Sequence, residues 1–312
     1  GHNIVFETQR NWINSKDMIA LLDDISTEEK SPYKALVEFL NPFIGDIQNV
    51  DIKTVPTLGG AAAYRVVNGL PEVVINEKYL QLPGVSERDV QGKIMEEVLH
   101  HVTKTTLGQF VTFKGVDDNG KVLFDAVEGV QIPNEIRTLI TIYEDALAHQ
   151  MEKYGKEEII NAIKNFKSLK KAGETVVAGD ELSLAAYRVS NIHEYLAGIF
   201  IKDESFAKEM AKTPYRKSGK SILGKFSEVF ARLLTRLLPK ARKDSFAVNT
   251  AQVLERFLTR NHDNVGNKLV NYTKRDFLSE SDKVEEGKAL LEQEVQEDVD
   301  GIIPKNIQEL YP

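Results

Sequence analysis

Cysteine is absent from the 312 residues. Disulfides are therefore excluded, and so are thiolate metal sites; any metal must be held by His, Asp, Glu or water. No apolar run approaches the ~18 residues that a membrane helix needs, so a membrane partner is not expected. A signal-peptide pattern is missing. Internal repeats are missing too, which argues against a solenoid. Aromatic residues make up 8% of the chain and do not interleave with its basic residues, so stacking on single-stranded nucleic acid is not indicated. The net charge of -7 excludes a general nucleic-acid binder.

What remains is ordinary for a globular chain, with 42% hydrophobic and 28% charged residues. The length suits one large domain or two smaller ones. The charge is uneven. Residues 202–243 carry 12 Lys+Arg against 4 Asp+Glu, and residues 280–300 carry 9 acidic residues against 2 lysines.

Hydrophobic periodicity predicts an α+β chain, mainly helical with a small sheet. Residues 15–43 hold two helical patterns, broken near 27–31 and ended by Asn41-Pro42. A strand-like IQNVDIKTV follows. AAAYRVV and PEVVIN are then separated by Asn68-Gly69, a strong short hairpin signal. Ser86, with Glu87 and Asp89 behind it, offers an N-cap for a helix over about 87–106. A second hairpin is expected around Asp117-Asp118-Asn119-Gly120. Helices are expected over about 134–154, 156–170, 180–201, 205–212, 220–238 and 244–260.

The helix beginning near Glu87 carries the chemistry. Its segment EEVLH, Glu96 to His100, differs by one residue from the metal signature HExxH. Residues i and i+4 share a helix face, so Glu96 and His100 can hold one ion between them. Glu97 stands where that signature keeps a general base for the water the ion activates. Ile94, Met95, Val98, Leu99 and Val102 fall on the opposite side, so the polar set is expected to face a cleft or solvent. A third ligand must come from elsewhere. Glu194, in the amphipathic segment SNIHEYLAGIF, is the best candidate, because a carboxylate on such a helix needs a partner. Glu144, Asp145 and His149 are weaker ones. The bland alternative is a solvated Glu/His face with no ion, with His101 a neighbour and His193 a surface or helix-end residue.

The order of these pieces resembles the zincin metallopeptidases. More narrowly, it is similar to the zincin-like domains of large multidomain proteins from bacteriophages and mobile elements. There an edge strand and a strand ending near Asn lead into the HExxH helix, and a later helix reads N-x-x-E-F/Y-x-A-x-x-F. Asn191, Glu194, Tyr195, Ala197 and Phe200 match the last pattern. The stretch FAKEMAKTPYRKSGKSILGKFSEVFARLL is similar to the region that follows it. The resemblance covers roughly residues 55–107 and 180–260. It implies a zincin-like fold over 55–275, with an N-terminal helical region at 1–54 and an acidic tail or linker at 276–312. It also implies Glu97 as general base, with His100 and Glu194 as metal ligands. The edge strand, Ala62, Ala63, Tyr64 and Arg65, would bind an extended peptide substrate, the parent polypeptide included. A host-cell or virion interior would be the setting.

Two departures stand out. Glu96 occupies the first ligand position, and 93 residues lie between His100 and Glu194, which implies an insertion at about 108–179. Glu96/His100/Glu194 can still bind Zn²⁺, but with two anionic ligands the ion is a poorer Lewis acid and Mn²⁺ competes better. Reduced or absent peptidase activity is expected.

The segment Ser221 to Leu238 reads as an amphipathic helix. Its bland reading is a packing helix with a solvated basic side. Its functional reading is a surface for DNA phosphates, an acidic partner or the chain's own tail, through Lys217, Lys220, Lys225, Arg232 and Arg236. A second function class therefore stands beside the peptidase: a non-catalytic virion or DNA-delivery protein on the same fold. An unrelated helical protein is the third.

Overall fold

The computed structural model describes residues 2–44, 47–171, 180–202, 204–215, 228–275 and 299–300. The chain is α+β. The acidic tail lies outside the described residues apart from Val299–Asp300. Three helices open the chain: α1 (His2–Asn14), α2 (Met18–Thr27) and α3 (Lys34–Leu40). Asp17 caps α2 by accepting from the Ala20 N–H. Pro42 ends α3 in a single 3₁₀ turn. Helix α1 extends the sequence reading toward the N-terminus, and it packs on the first strand.

Strands β1 (Asp51–Val55), β2 (Ala62–Val67) and β3 (Leu70–Asn76) form a mixed sheet. β2 and β3 make the expected hairpin, from Ala62 opposite Ile75 to Val67 opposite Leu70. Its two-residue turn puts Asn68 at φ 53° and Gly69 at φ 79°, the left-handed pair whose twist matches that of the strands. β1 runs parallel to β3 on the other side. On the outer edge of β2, Ala62 and Ala63 pair antiparallel with β6 (Val299–Asp300).

After a single turn, α4 (Glu77–Leu80), comes α5 (Glu87–Leu107). Ser86 and Asp89 form a reciprocal capping box: the Ser86 hydroxyl accepts from the Asp89 N–H, and the Asp89 carboxylate accepts from the Ser86 N–H. The sequence places this start within one residue. Helix α5 packs against β2, and Ile94, Met95, Val98 and Leu99 are fully buried. The hairpin β4 (Val111–Val116) and β5 (Val122–Ala126) follows, then α6 (Asn134–Tyr154) and α7 (Lys156–Lys171).

One expected helix is two. In place of a continuous 180–201 element there are α8 (Glu181–Arg188) and α9 (Ile192–Phe200). Asn191 makes the break. It is extended, and its side chain accepts from the Glu194 N–H at 2.9 Å, so a new helix starts there. The buried Tyr143 hydroxyl of α6 donates to the Val189 carbonyl at 2.5 Å and pins the break from outside. Residues 108–179, expected as an insertion, thus supply part of the packing around the break. Helices α10 (Ser205–Lys212), α11 (Glu228–Leu237) and the long α12 (Phe246–Arg275) follow, and α12 packs on α5, α6, α9 and α10.

A Gly69→Val substitution asks a β-branched residue to hold φ 79°. Urea unfolding should show a loss of about 1–3 kcal/mol. A loss below about 0.3 kcal/mol would mean that the hairpin turn contributes nothing to register.

Candidate metal centre

Two helices build the site. Helix α5 brings Glu96 and His100 one turn apart, with Glu97 next to Glu96. Helix α9 crosses it and presents Glu194 from its first turn, at the position fixed by the Asn191 cap. One donor atom from each of Glu96, His100 and Glu194 lies within 4.8 Å of the others. Among the described residues no other group of His and acidic side chains meets this condition. His100 Nε2 is 3.5 Å from Glu194 Oε1. Ligand bonds of ~2.1 Å around a tetrahedral zinc put neighbouring donors roughly 3.4 Å apart, so this pair already has the spacing of a zinc edge.

The polar face is not solvated. Glu96 and Glu97 are 0% exposed, His100 1%, His101 2% and Glu194 2%. The expectation of a face open to cleft or solvent is overturned, because α9, α12 and β2 all close over α5. The bland reading of a solvated Glu/His surface falls with it.

Arg188 is the residue that the sequence reading passed over. It is the last residue of α8 and is 1% exposed. Its Nη1 donates to Glu96 Oε1 at 2.5 Å and lies 3.4 Å from Glu194 Oε2. Its Nε and Nη2 grip both oxygens of Glu204, at 2.6 and 2.9 Å. Lys93 Nζ donates to Glu96 Oε2 at 3.1 Å. Burial works against the guanidinium charge, but Glu204, Glu96 and Glu194 outweigh it and raise the Arg188 pKa well above its ordinary value. Gly198 makes the room. A Cβ there would sit 2.7 Å from Arg188 Cδ. A lone Arg two residues before Ser190, in the otherwise uncharged stretch LSLAAYRVSN, was the available signal.

His101 is a neighbour of the trio, as expected. Its Nδ1 meets the Tyr64 hydroxyl of β2 at 2.9 Å, which ties the edge strand to α5. Burial pulls its pKa down to about 4. His193 sits on the first turn of α9, with Nδ1 3.2 Å from the Thr103 hydroxyl. Its pKa is pushed well below the ordinary value by burial, then by Lys104 and His100. It is half-buried at the start of α9, so of the two expected readings, surface or helix end, the helix-end one fits.

The weaker ligand candidates are engaged elsewhere. Glu144 accepts from the Val122 N–H, Asp145 from the Tyr215 hydroxyl, and His149 faces Glu209 at 3.2 Å. Among the substrate-strand residues, Ala62, Ala63 and Tyr64 are buried, and Arg65 pairs with Glu72 at 2.5 Å. Of the basic set, Lys217, Lys220 and Lys225 lie outside the described residues. Arg232 and Arg236 are exposed on α11, where Arg232 pairs with Glu38 at 3.4 Å and Glu228 at 3.2 Å. Acidic neighbours of this kind weaken a phosphate-binding face.

Compared with protein-family models, curated proteins and solved structures, the chain has no match. No described helix is long and apolar enough to cross a membrane.

The Tyr64–His101 contact joins two elements inside the core. Tyr64→Phe leaves His101 Nδ1 without this partner in a buried site, which should lower unfolding stability by about 1–3 kcal/mol. A double-mutant cycle with His101→Leu should return a coupling of roughly 1 kcal/mol. Additive effects would show that the contact ties nothing together.

Proposed function

We propose that the chain is a zincin-like metallopeptidase domain whose catalysis is weakened by its own first ligand position. The observation that carries this reading is the meeting of Glu96, His100 and Glu194 from two crossing helices, with all donors buried and within 4.8 Å. Three buried donors of this type fit a divalent cation, Zn²⁺ or Mn²⁺, better than they fit one another. Such an ion would supply Lewis-acid polarisation and acidify a water.

The chain's own residues do the rest. Glu97, one residue beyond Glu96 on α5, would take the proton of an attacking water as general base. The Asn191 cap sets the height of Glu194 against α5. Strand β2 would receive an extended peptide along the side where Val299–Asp300 pairs with Ala62 and Ala63, so a substrate would have to displace or extend that pair. A peptide or protein substrate, the parent polypeptide included, follows from this strand.

A second reading has its own observation. Glu96 is held by Arg188 at 2.5 Å and by Lys93 at 3.1 Å, and the whole cluster is shut away from solvent. These facts favour a non-catalytic protein on the same scaffold, in which a virion or DNA-delivery role would rest on other surfaces. Metal content separates the two readings.

Protein purified without chelator should carry about one zinc or manganese per chain by elemental analysis. His100→Ala should lose the ion and Glu97→Gln should keep it. Glu96→His should raise zinc affinity, and a variant that binds zinc no more tightly than the parent would remove Glu96 from the ligand set. Absence of metal in the parent, even after incubation with zinc, would favour the non-catalytic reading.

A further inference from the structure

Buried arginines are rare and need partners on every side. Arg188 has them, and their identity is informative. Two of the three carboxylates that its guanidinium touches, Glu96 and Glu194, are members of the trio that could hold an ion. The third, Glu204, lies outside the trio and takes the guanidinium in a two-pronged pair. The arginine is thus anchored at Nε and Nη2 and extends Nη1 alone toward the trio.

We infer that Arg188 is a resident cation that occupies the electrostatic place of the metal ion and competes with it. The inference rests on the reading of Glu96, His100 and Glu194 as a metal trio. Nη1 neutralises the carboxylates that an ion would neutralise, and it draws Glu96 toward α8. An entering ion must take both carboxylates from the guanidinium, which keeps its bidentate hold on Glu204. The scaffold is then folded in either state, and metal loading becomes a competition between two cations. A site without such an arginine would instead be held apart by like-charge repulsion until an ion arrived.

Lys93 adds a second hold on Glu96 from α5 itself, three residues before it. Arg188 reaches carboxylates on both helices, Glu96 on α5 and Glu194 on α9.

The test uses two variants of the full chain. Arg188→Gln removes the charge. The double variant Arg188→Met with Glu204→Gln also removes the carboxylate that would be left unpaired. Thermal midpoints are measured in chelator, in zinc and in manganese, and ion affinity is measured by competition with a chromophoric chelator. The parent should lose less of its midpoint in chelator than either variant. Both variants should melt lower in chelator, recover by roughly 5 °C or more on adding the ion, and bind it at least about tenfold more tightly than the parent.

If the parent binds an ion that His100→Ala loses, and the variants bind it no more tightly, the competition does not exist while the metal trio stands. If neither the parent nor either variant binds zinc or manganese, the trio itself falls and takes this inference with it. Failure of both variants to fold even with zinc or manganese present would show that an ion cannot stand in for the guanidinium, which overturns the inference. An ion that binds only after Arg188 is replaced would support both.

Discussion

The packing of this protein turns on one buried guanidinium. Arg188 is 1% exposed, and the side chains of Glu96 and Glu194 are as deeply buried. Removing one such ion from water costs several kcal/mol even after relaxation, and the mutual attraction of the group repays this only with close hydrogen bonds. The bonds are close: 2.5 Å to Glu96, and 2.6 and 2.9 Å to Glu204. Helices α5, α8 and α9 and the turn before α10 must therefore arrive together. A pair of this kind contributes little net stability compared with apolar packing, but it tolerates few alternative arrangements. It specifies the crossing of α5 and α9 more than it strengthens it.

That crossing explains why the rest of the chain is arranged as it is. Glu194 can reach α5 only because the helix stops at Arg188 and restarts at Asn191. The stop is held by Tyr143, which comes from the segment expected as an insertion. Arg188 in turn fits only because Gly198 carries no side chain where Arg188 Cδ passes. On the other side of α5, Tyr64 and His101 tie the edge strand to the helix. The sheet, the Glu96/His100/Glu194 trio and the arginine are thereby linked through one helix, α5, whose start is set by the Ser86–Asp89 box.

Local signals in the sequence were legible where local chemistry decides the outcome. Asn68-Gly69 and Ser86 act on their own turns, and both were read to within a residue. The helical spacing of Glu96 and His100 and the candidacy of Glu194 were legible for the same reason, since i and i+4 geometry needs no knowledge of the fold. Burial was not legible. The polar side of α5 is closed by α9, α12 and β2, all distant in sequence, and periodicity cannot tell a solvated face from one that is covered. The α8–α9 break was missed because the apolar pattern runs through Val189 while the Asn191 cap competes with it. Arg188 was missed because its partners are 92 and 16 residues away, at Glu96 and Glu204, and only the fold brings them together.

The departure at position 96 then has a physical meaning that a ligand count alone does not give it. A histidine there would offer Nη1 of Arg188 no anion at 2.5 Å, and the guanidinium would keep only Glu194 and Glu204. A guanidinium beside an imidazole gains nothing and repels it once that ring is protonated. Glu96 and Arg188 therefore form a unit: an anionic residue at the first ligand position and a cation that meets it. Residues in one ion network do not respond additively to change. A histidine placed at 96 while Arg188 stays would leave the guanidinium on Glu194. Ligand set and resident cation would have to change together before this site behaved like one with two histidines, and the pair is the feature that sets this chain's chemistry apart from the HExxH pattern it resembles.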